Sequence, residues 1–169
     1  GQTNEARRIA TRLQMDGKLS YQQQGGPLYV QGAALAREAA EHWRDDERRK
    51  LYLVAARYLE EARDRGFPTG REGQGAYLFS TCLFHSGHYA ESLPLLLEAL
   101  EANPQHRHEL HRCLATAYFN DSEPQLERAL YYSQQALTDP NLTVEQRDRE
   151  LLQQAHIFLQ LHQLPDATQ

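Results

Sequence analysis

Three alanines set 37 residues apart restrict the fold more than any other feature of the chain. Ala62, Ala99 and Ala136 lie in "YLEEARDRGFP" (58–68), "LLLEALEANP" (95–104) and "YSQQALTDP" (132–140). Ala55, Ser92 and Ala129 each precede them by seven residues, and Pro68, Pro104 and Pro140 follow at 36-residue intervals. A period of this size means that one supersecondary unit is copied along the chain. Leu93, Leu96, Leu97 and Leu100 recur at helical spacing, so the copied element is a helix. Pro94 falls in the first turns of a helix starting near Tyr89, where a missing N–H does little harm. Asn103 before Pro104 ends it, because a residue preceding proline avoids the α region.

A second helix precedes each copy by about a dozen residues. "GAYLFSTCLFHSGHYAES" carries Ala76, Phe79, Ser80 and Leu83, then a turn at Ser86-Gly87. "HRCLATAYFNDSEPQLERA" carries Leu114, Ala115 and Tyr118, then a turn near Asp121 to Pro124. "PLYVQGAALAREAA" carries Leu28, Gln31, Gly32 and Leu35, and "LLQQAHIFLQLHQLPDA" carries Leu151, Ala155 and Phe158. The unit is a helical hairpin with small residues where its helices approach.

The pattern resembles the tetratricopeptide repeat family, whose hairpins carry a small residue and an aromatic in the first helix and an A-x3-F pair in the second. The small slot is Gly32, Ser80, Ala115 and Ala155, and the tyrosine slot is Leu35, Leu83, Tyr118 and Phe158. The A-x3-F slot is Ala55/Leu59, Ser92/Leu96 and Ala129/Ser133. The family's tryptophan is missing from every copy. The resemblance implies an all-α, right-handed solenoid of about three repeats filling residues 1–169 as a single domain. Its parts would be a partial repeat at 3–17, a long hairpin at 26–68, repeats at 73–106 and 108–140, and a truncated repeat at 143–169. Asp16-Gly17 would close the first helix, and Thr143 with Gln146 would form a capping box for the last. Pro165-Asp166-Ala167 reads as the start of a further hairpin partner, and the opening Gly1 without Met reads as an excised fragment.

Twenty-three residues separate Gly32 from Ala55, against twelve between Ser80 and Ser92, so the second hairpin is longer than the others. Its helices would meet near Arg44-Asp46, with Asp45 or Asp46 capping the returning one. Trp43, the only tryptophan, lies at that tip. It is expected to fold back over Leu51; turned outward, it would be a contact for a partner or a second copy.

Of the 169 residues, 40% are hydrophobic and 24% charged, as in a soluble protein, and the net charge of −5 offers no basic footprint for nucleic acid. No apolar run approaches a membrane span, and no signal peptide is present. Two cysteines, Cys82 and Cys113, are too few for a disulfide framework and suit a reducing compartment such as the cytoplasm. Both read as buried, inert thiols, on first helices close enough in order to approach.

No nucleophile elbow, phosphate loop or metal-ligand spacing is present, so neither catalysis, a cofactor nor a metal is expected. "GREGQG" at 70–75 reads as a linker between repeats. The histidines form two groups, His85/His88 and His106/His108/His111, at opposite ends of a hairpin. The second group is near enough in sequence to converge, but solvated loop histidines are the expected reading.

In the family resembled, first helices line a concave groove that holds peptides. The slots flanking the small residue would be Tyr29, Ala33 and Ala36; Tyr77, Thr81 and Phe84; Arg112, Thr116 and Phe119; and Leu152, His156 and Leu159, with His85 and Asn120 beside them. Some family members hold a peptide carboxylate there with Lys and Asn; this chain has Tyr77/Thr81 and Arg112/Thr116 instead. The implied ligand is an apolar or amphipathic protein segment. The other reading is a structural spacer, or a module that associates with its own copies through open solenoid ends.

Overall fold

The computed structural model describes residues 2–163, and the described residues are all-helical, with no strand. The described residues form eight α-helices: α1 (Gln2–Met15), α2 (Gly25–Glu41), α3 (Asp45–Arg65), α4 (Glu72–Ser86), α5 (Tyr89–Ala102), α6 (Arg107–Asn120), α7 (Leu126–Leu137) and α8 (Val144–Gln163). Short 3₁₀ turns at Gln22–Gln24 and Pro104–His106 lead into α2 and α6. The chain divides into two compact units, 1–88 and 89–169.

In the first unit α1 packs on α2, α2 on α3 and α3 on α4. Gly32 lets α2 and α3 close up: a Cβ there would lie 2.5 Å from Leu59 Cγ. Gln31, buried in α2, ties α1 down by donating to Thr11 Oγ1 (3.0 Å) and Gln14 Oε1 (3.2 Å). At the end of α4 Gly87 takes a left-handed φ of +90°, which a side chain would resist. Its N–H donates to Phe84 O and that of His88 to Leu83 O, the paired bonds of a Schellman cap.

In the second unit α5 packs on α6, α6 on α7 and α7 on α8. Pro94 sits inside α5, in its second turn, and the helix stops before Asn103 and Pro104. The capping box forms in full: Gln146 N–H donates to Thr143 Oγ1, and Thr143 N–H to Gln146 Oε1.

The positions singled out by the 37-residue period all point inward. Ala55, Ala62, Ser92, Ala99, Ala129 and Ala136 have no exposed surface at all. Leu59, Leu96 and Ser133, which share one slot, are equally enclosed. Ser133 Oγ has no hydrogen-bond partner there. An enclosed hydroxyl without a partner loses its hydration and gains nothing back. Ser133→Ala is therefore expected to raise stability by about 1 kcal/mol, read as a higher urea midpoint at unchanged slope.

Four local expectations need correction. Asp45 and Asp46 do not cap α3; Arg44 holds the cap position, and the two acids occupy the first turn, where they face the positive end of the helix dipole. "GREGQG" is not all linker, because α4 begins at Glu72 and Gly75 is buried within it. A Cβ on Gly75 would sit 2.6 Å from the Phe67 ring, so this glycine serves packing rather than flexibility. Trp43 does not fold back over Leu51. It lies between α2 and α3, 86% exposed, with the Arg44 guanidinium 5.8 Å from its ring centre.

The fourth correction concerns α8. Ala155 and Phe158, expected to face inward, are exposed, as is Leu151. The enclosed side is made by Glu150 and Ile157, with Gln153 and Gln154 half-buried between them. Polar contacts hold this face: Gln153 Nε2 donates to Thr116 Oγ1 on α6 at 2.9 Å. The apolar periodicity of α8 is genuine but belongs to its outer face, where Leu152 and Leu159 also lie. Residues 165–167, read as a further hairpin start, lie outside the described residues.

Candidate functional site

Each unit places part of the expected groove lining. In the first unit Tyr29 is half-buried, with the Phe67 ring edge-on at 6.0 Å. Tyr77 is half-buried on α4. Thr81 and Phe84 are buried rather than open, Phe84 to 6% exposure. Thr81 spends its hydroxyl on Tyr77 O at 2.8 Å. His85 is stacked on Tyr52 of α3 at 4.9 Å, so it is not a solvated histidine. Ala33 is half-buried and Ala36 buried. What a ligand could meet here is the outer edge of the aromatic row, not its whole breadth.

In the second unit Arg112, Thr116 and Phe119 are half-buried along α6 and Asn120 is exposed. Asn120 bonds back to Thr116 O at 2.8 Å, which holds its amide against the helix. His156 is exposed on α8, with Leu152 and Leu159 on the outer stripe.

The histidines of "HRHELH" also depart from expectation. His111 is buried beside the Tyr132 ring, and burial together with the nearby Arg107 charge holds its imidazole below the usual range. His108 is largely enclosed, and its Nδ1 lies 3.0 Å from the carbonyl oxygen of Ala136. A carbonyl can only accept, so the Nδ1 proton is donated there. The His108 Nε2 faces Glu150 Oε1 at 4.0 Å.

Glu150 was missed by the sequence reading. It is 1% exposed, and its Oε2 has no hydrogen-bond partner. A pocket of about 420 Å³ opens at this point between the starts of α6 and α8. Arg112 and Glu109 of α6, Asp139 beyond α7, and Arg149 beside Glu150 share its walls. Burial pushes the Glu150 carboxyl above its ordinary 4.5, against the opposing pull of Arg112, His108 and Arg149. A signal for it was present. Gln153 and Thr116, which bond to each other, stand 37 residues apart, and the same step carries Cys113 to Glu150.

The raised carboxyl has a definite consequence for stability. The folded chain holds this proton more tightly than the unfolded one, so the ionised form at neutral pH opposes folding. That penalty is relieved as pH falls from above the raised value toward 4.5. Glu150→Gln should therefore be more stable than the parent at pH 7, and the difference should narrow as pH falls into that window. Parallel denaturation series of the two proteins at several pH values measure it.

Cys82 and Cys113 are free, buried thiols, each pushed up to about 12 by burial. Neither is a nucleophile near neutral pH, because the thiolate is the reactive form. Among the described residues, no group of three His, Cys, Asp or Glu side chains is placed to hold a metal ion. No described helix is long and apolar enough to cross a membrane.

These features define a helical protein with a polar pocket beside a buried carboxylate and half-buried aromatic side chains. No family model, no curated protein and no solved structure matches the chain.

Proposed function

We propose that the chain is a non-catalytic protein-interaction module built as a tetratricopeptide-like solenoid, and that it captures an apolar or amphipathic segment along its first helices. One observation carries this reading: the small-residue slots on α3, α5 and α7 are all fully enclosed at one constant interval. Of the positions flanking the first-helix slots, Ala36, Thr81 and Phe84 are buried, and the others keep some exposed surface. The latter include Tyr29 and Tyr77 in the first unit and Arg112, Thr116 and Phe119 in the second, none of them fully buried. Aromatic side chains supply large contact area at small entropic cost, which suits a peptide surface.

The test is a panel of fluorescent peptides, amphipathic helices and extended apolar strands, titrated with the full chain. Micromolar binding to one class is expected, with Phe119→Ser weakening it at least tenfold while helicity is unchanged. Failure of every peptide class to saturate would overturn the reading.

A second reading, self-association, is favoured by the exposed apolar stripe of α8, where Leu151, Leu152, Phe158 and Leu159 face solvent. Sedimentation over a hundredfold concentration range decides it. Growth of the particle without peptide binding would put this reading first. Trp43 adds an optical check, because emission moving blue as concentration rises would place the 42–44 connection in the contact.

A further inference from the structure

The pocket in the second unit is lined by two charged side chains, Glu150 and Arg112, whose hydrogen-bonding capacity the chain does not fill. Glu150 Oε2 has no partner, and its side chain is enclosed. The Arg112 guanidinium makes a long hydrogen-bond contact to Cys113 Sγ, at 3.9 Å, and its charge pulls on the Glu150 carboxyl without a direct hydrogen bond to it. Three side chains around Glu150 make hydrogen bonds elsewhere. His108 donates its Nδ1 proton to Ala136 O, and its Nε2 stands 4.0 Å from Glu150 Oε1, beyond hydrogen-bond distance. Arg149 is engaged with Glu145 at 3.4 Å and lies toward solvent. Asp139 accepts from the Asn141 N–H at 2.9 Å. Buried polar groups in native proteins are nearly always paired, so an unserved carboxylate at the wall of a pocket points to a guest.

The guest's chemistry follows from the two groups together. It must donate to Glu150 Oε2 and accept from Arg112. An ammonium would serve the carboxylate but be repelled by the guanidinium, and an anion would meet the reverse difficulty. A metal ion lacks a set of three side-chain ligands among the described residues. A primary carboxamide carries donor and acceptor on one small planar group with no net charge. We infer that this pocket receives the side-chain carboxamide of a glutamine or asparagine in the captured segment. The inference rests on the peptide-capture reading and adds a specificity to it: the segment is chosen by apolar contact along the helices and by one carboxamide at the start of α6. Asparagine and glutamine differ by one methylene, and the depth of the pocket decides between them.

The probes are four capped residues, the N-acetyl N-methylamides of glutamine, lysine, glutamate and norleucine, each titrated into the isotope-labelled full chain and followed by NMR. Their backbones are identical, so differences report the side chain. The capped glutamine should shift the Arg112 Nε–H and His108 ring signals saturably, and at least tenfold more tightly than the other three. Glu150→Gln, which is nearly isosteric, should weaken it at least tenfold with the dispersion of the spectrum unchanged. Arg112→Gln, at a half-exposed position, should do the same and guards against a folding defect in the first variant. Capped asparagine, run beside capped glutamine, assigns the side-chain length.

Tightest binding of capped lysine would overturn the inference in favour of an ammonium site, and of capped glutamate in favour of an anion site. Shifts equal for all four, or none, would mean that the pocket holds water alone. Peptides that bind the chain with no preference for a carboxamide would remove this inference and leave the groove standing. Capped glutamine binding where no peptide binds would keep the pocket and remove the groove.

Discussion

Gly25→Ala should unfold the first unit far more readily than any exposed substitution, while Gly26→Ala one position along should not. A Cβ on Gly25 would stand 2.0 Å from Gly66 O, 3.0 Å from Gly66 C and 3.2 Å from Ala62 O. All three are backbone atoms, so no side chain can swing aside. The start of α2 and the end of α3 must part instead, and the surroundings of Ala62 would open with them. Overpacking of this kind costs about 3 kcal/mol. At Gly26 nothing lies within 4 Å of the added carbon. There alanine only improves helix propensity, worth up to about 1 kcal/mol in the other direction. Urea denaturation of the pair measures both. Equal midpoints for the two variants would mean that the two helices do not meet this closely.

Leu114→Ala should cost about 2–5 kcal/mol, the range for emptying a filled core site. Leu114 has no exposed surface on α6, and its neighbours Leu110, Cys113 and Ala117 have none either. A cavity there has few mobile side chains to collapse into it. Leu152→Ala removes the same atoms from a side chain that is 66% exposed, and should change stability by less than about 0.5 kcal/mol. The contrast tests the register of α8 as well as the core. Similar losses at both sites would mean that the leucine pair of α8 is covered after all.

The helices were legible because their limits rest on local chemistry. Pro94, Asn103-Pro104, Ser86-Gly87 and the Thr143/Gln146 box each act within a few residues, and each sits where the sequence pattern puts it. The enclosed slots were legible because a small residue repeated at a constant interval marks the place where helix backbones approach closely. The face of α8 was not legible. Leucine and phenylalanine drew the reading to the outer side, whereas the inner side is held by the Gln153–Thr116 bond and by Glu150. Hydrophobic periodicity finds apolar stripes, and it does not say which stripe faces the rest of the chain. Trp43 failed for a similar reason. An aromatic at a tip is drawn inward only if surface is within reach, and the residues next to it are Arg44, Asp45 and Asp46. Among the candidate site residues, the repeat register named Tyr29 and Tyr77 in the first unit and Arg112, Thr116 and Phe119 in the second, all half-buried. The burial of Thr81 and Phe84 depends on packing that no register specifies.

Cys82 lies in one compact unit and Cys113 in the other, and the chain has no further cysteine. With both thiols enclosed and pushed up to about 12, a maleimide or disulfide reagent finds almost no thiolate to attack in the closed protein. Modification then waits on fluctuation, and its rate under fast reclosing is set by how often each unit opens. The molecule thus carries two built-in clocks, one per unit. A ligand that steadies only one of them would slow only that cysteine, so the place of binding could be read from the order in which two sulfur atoms react.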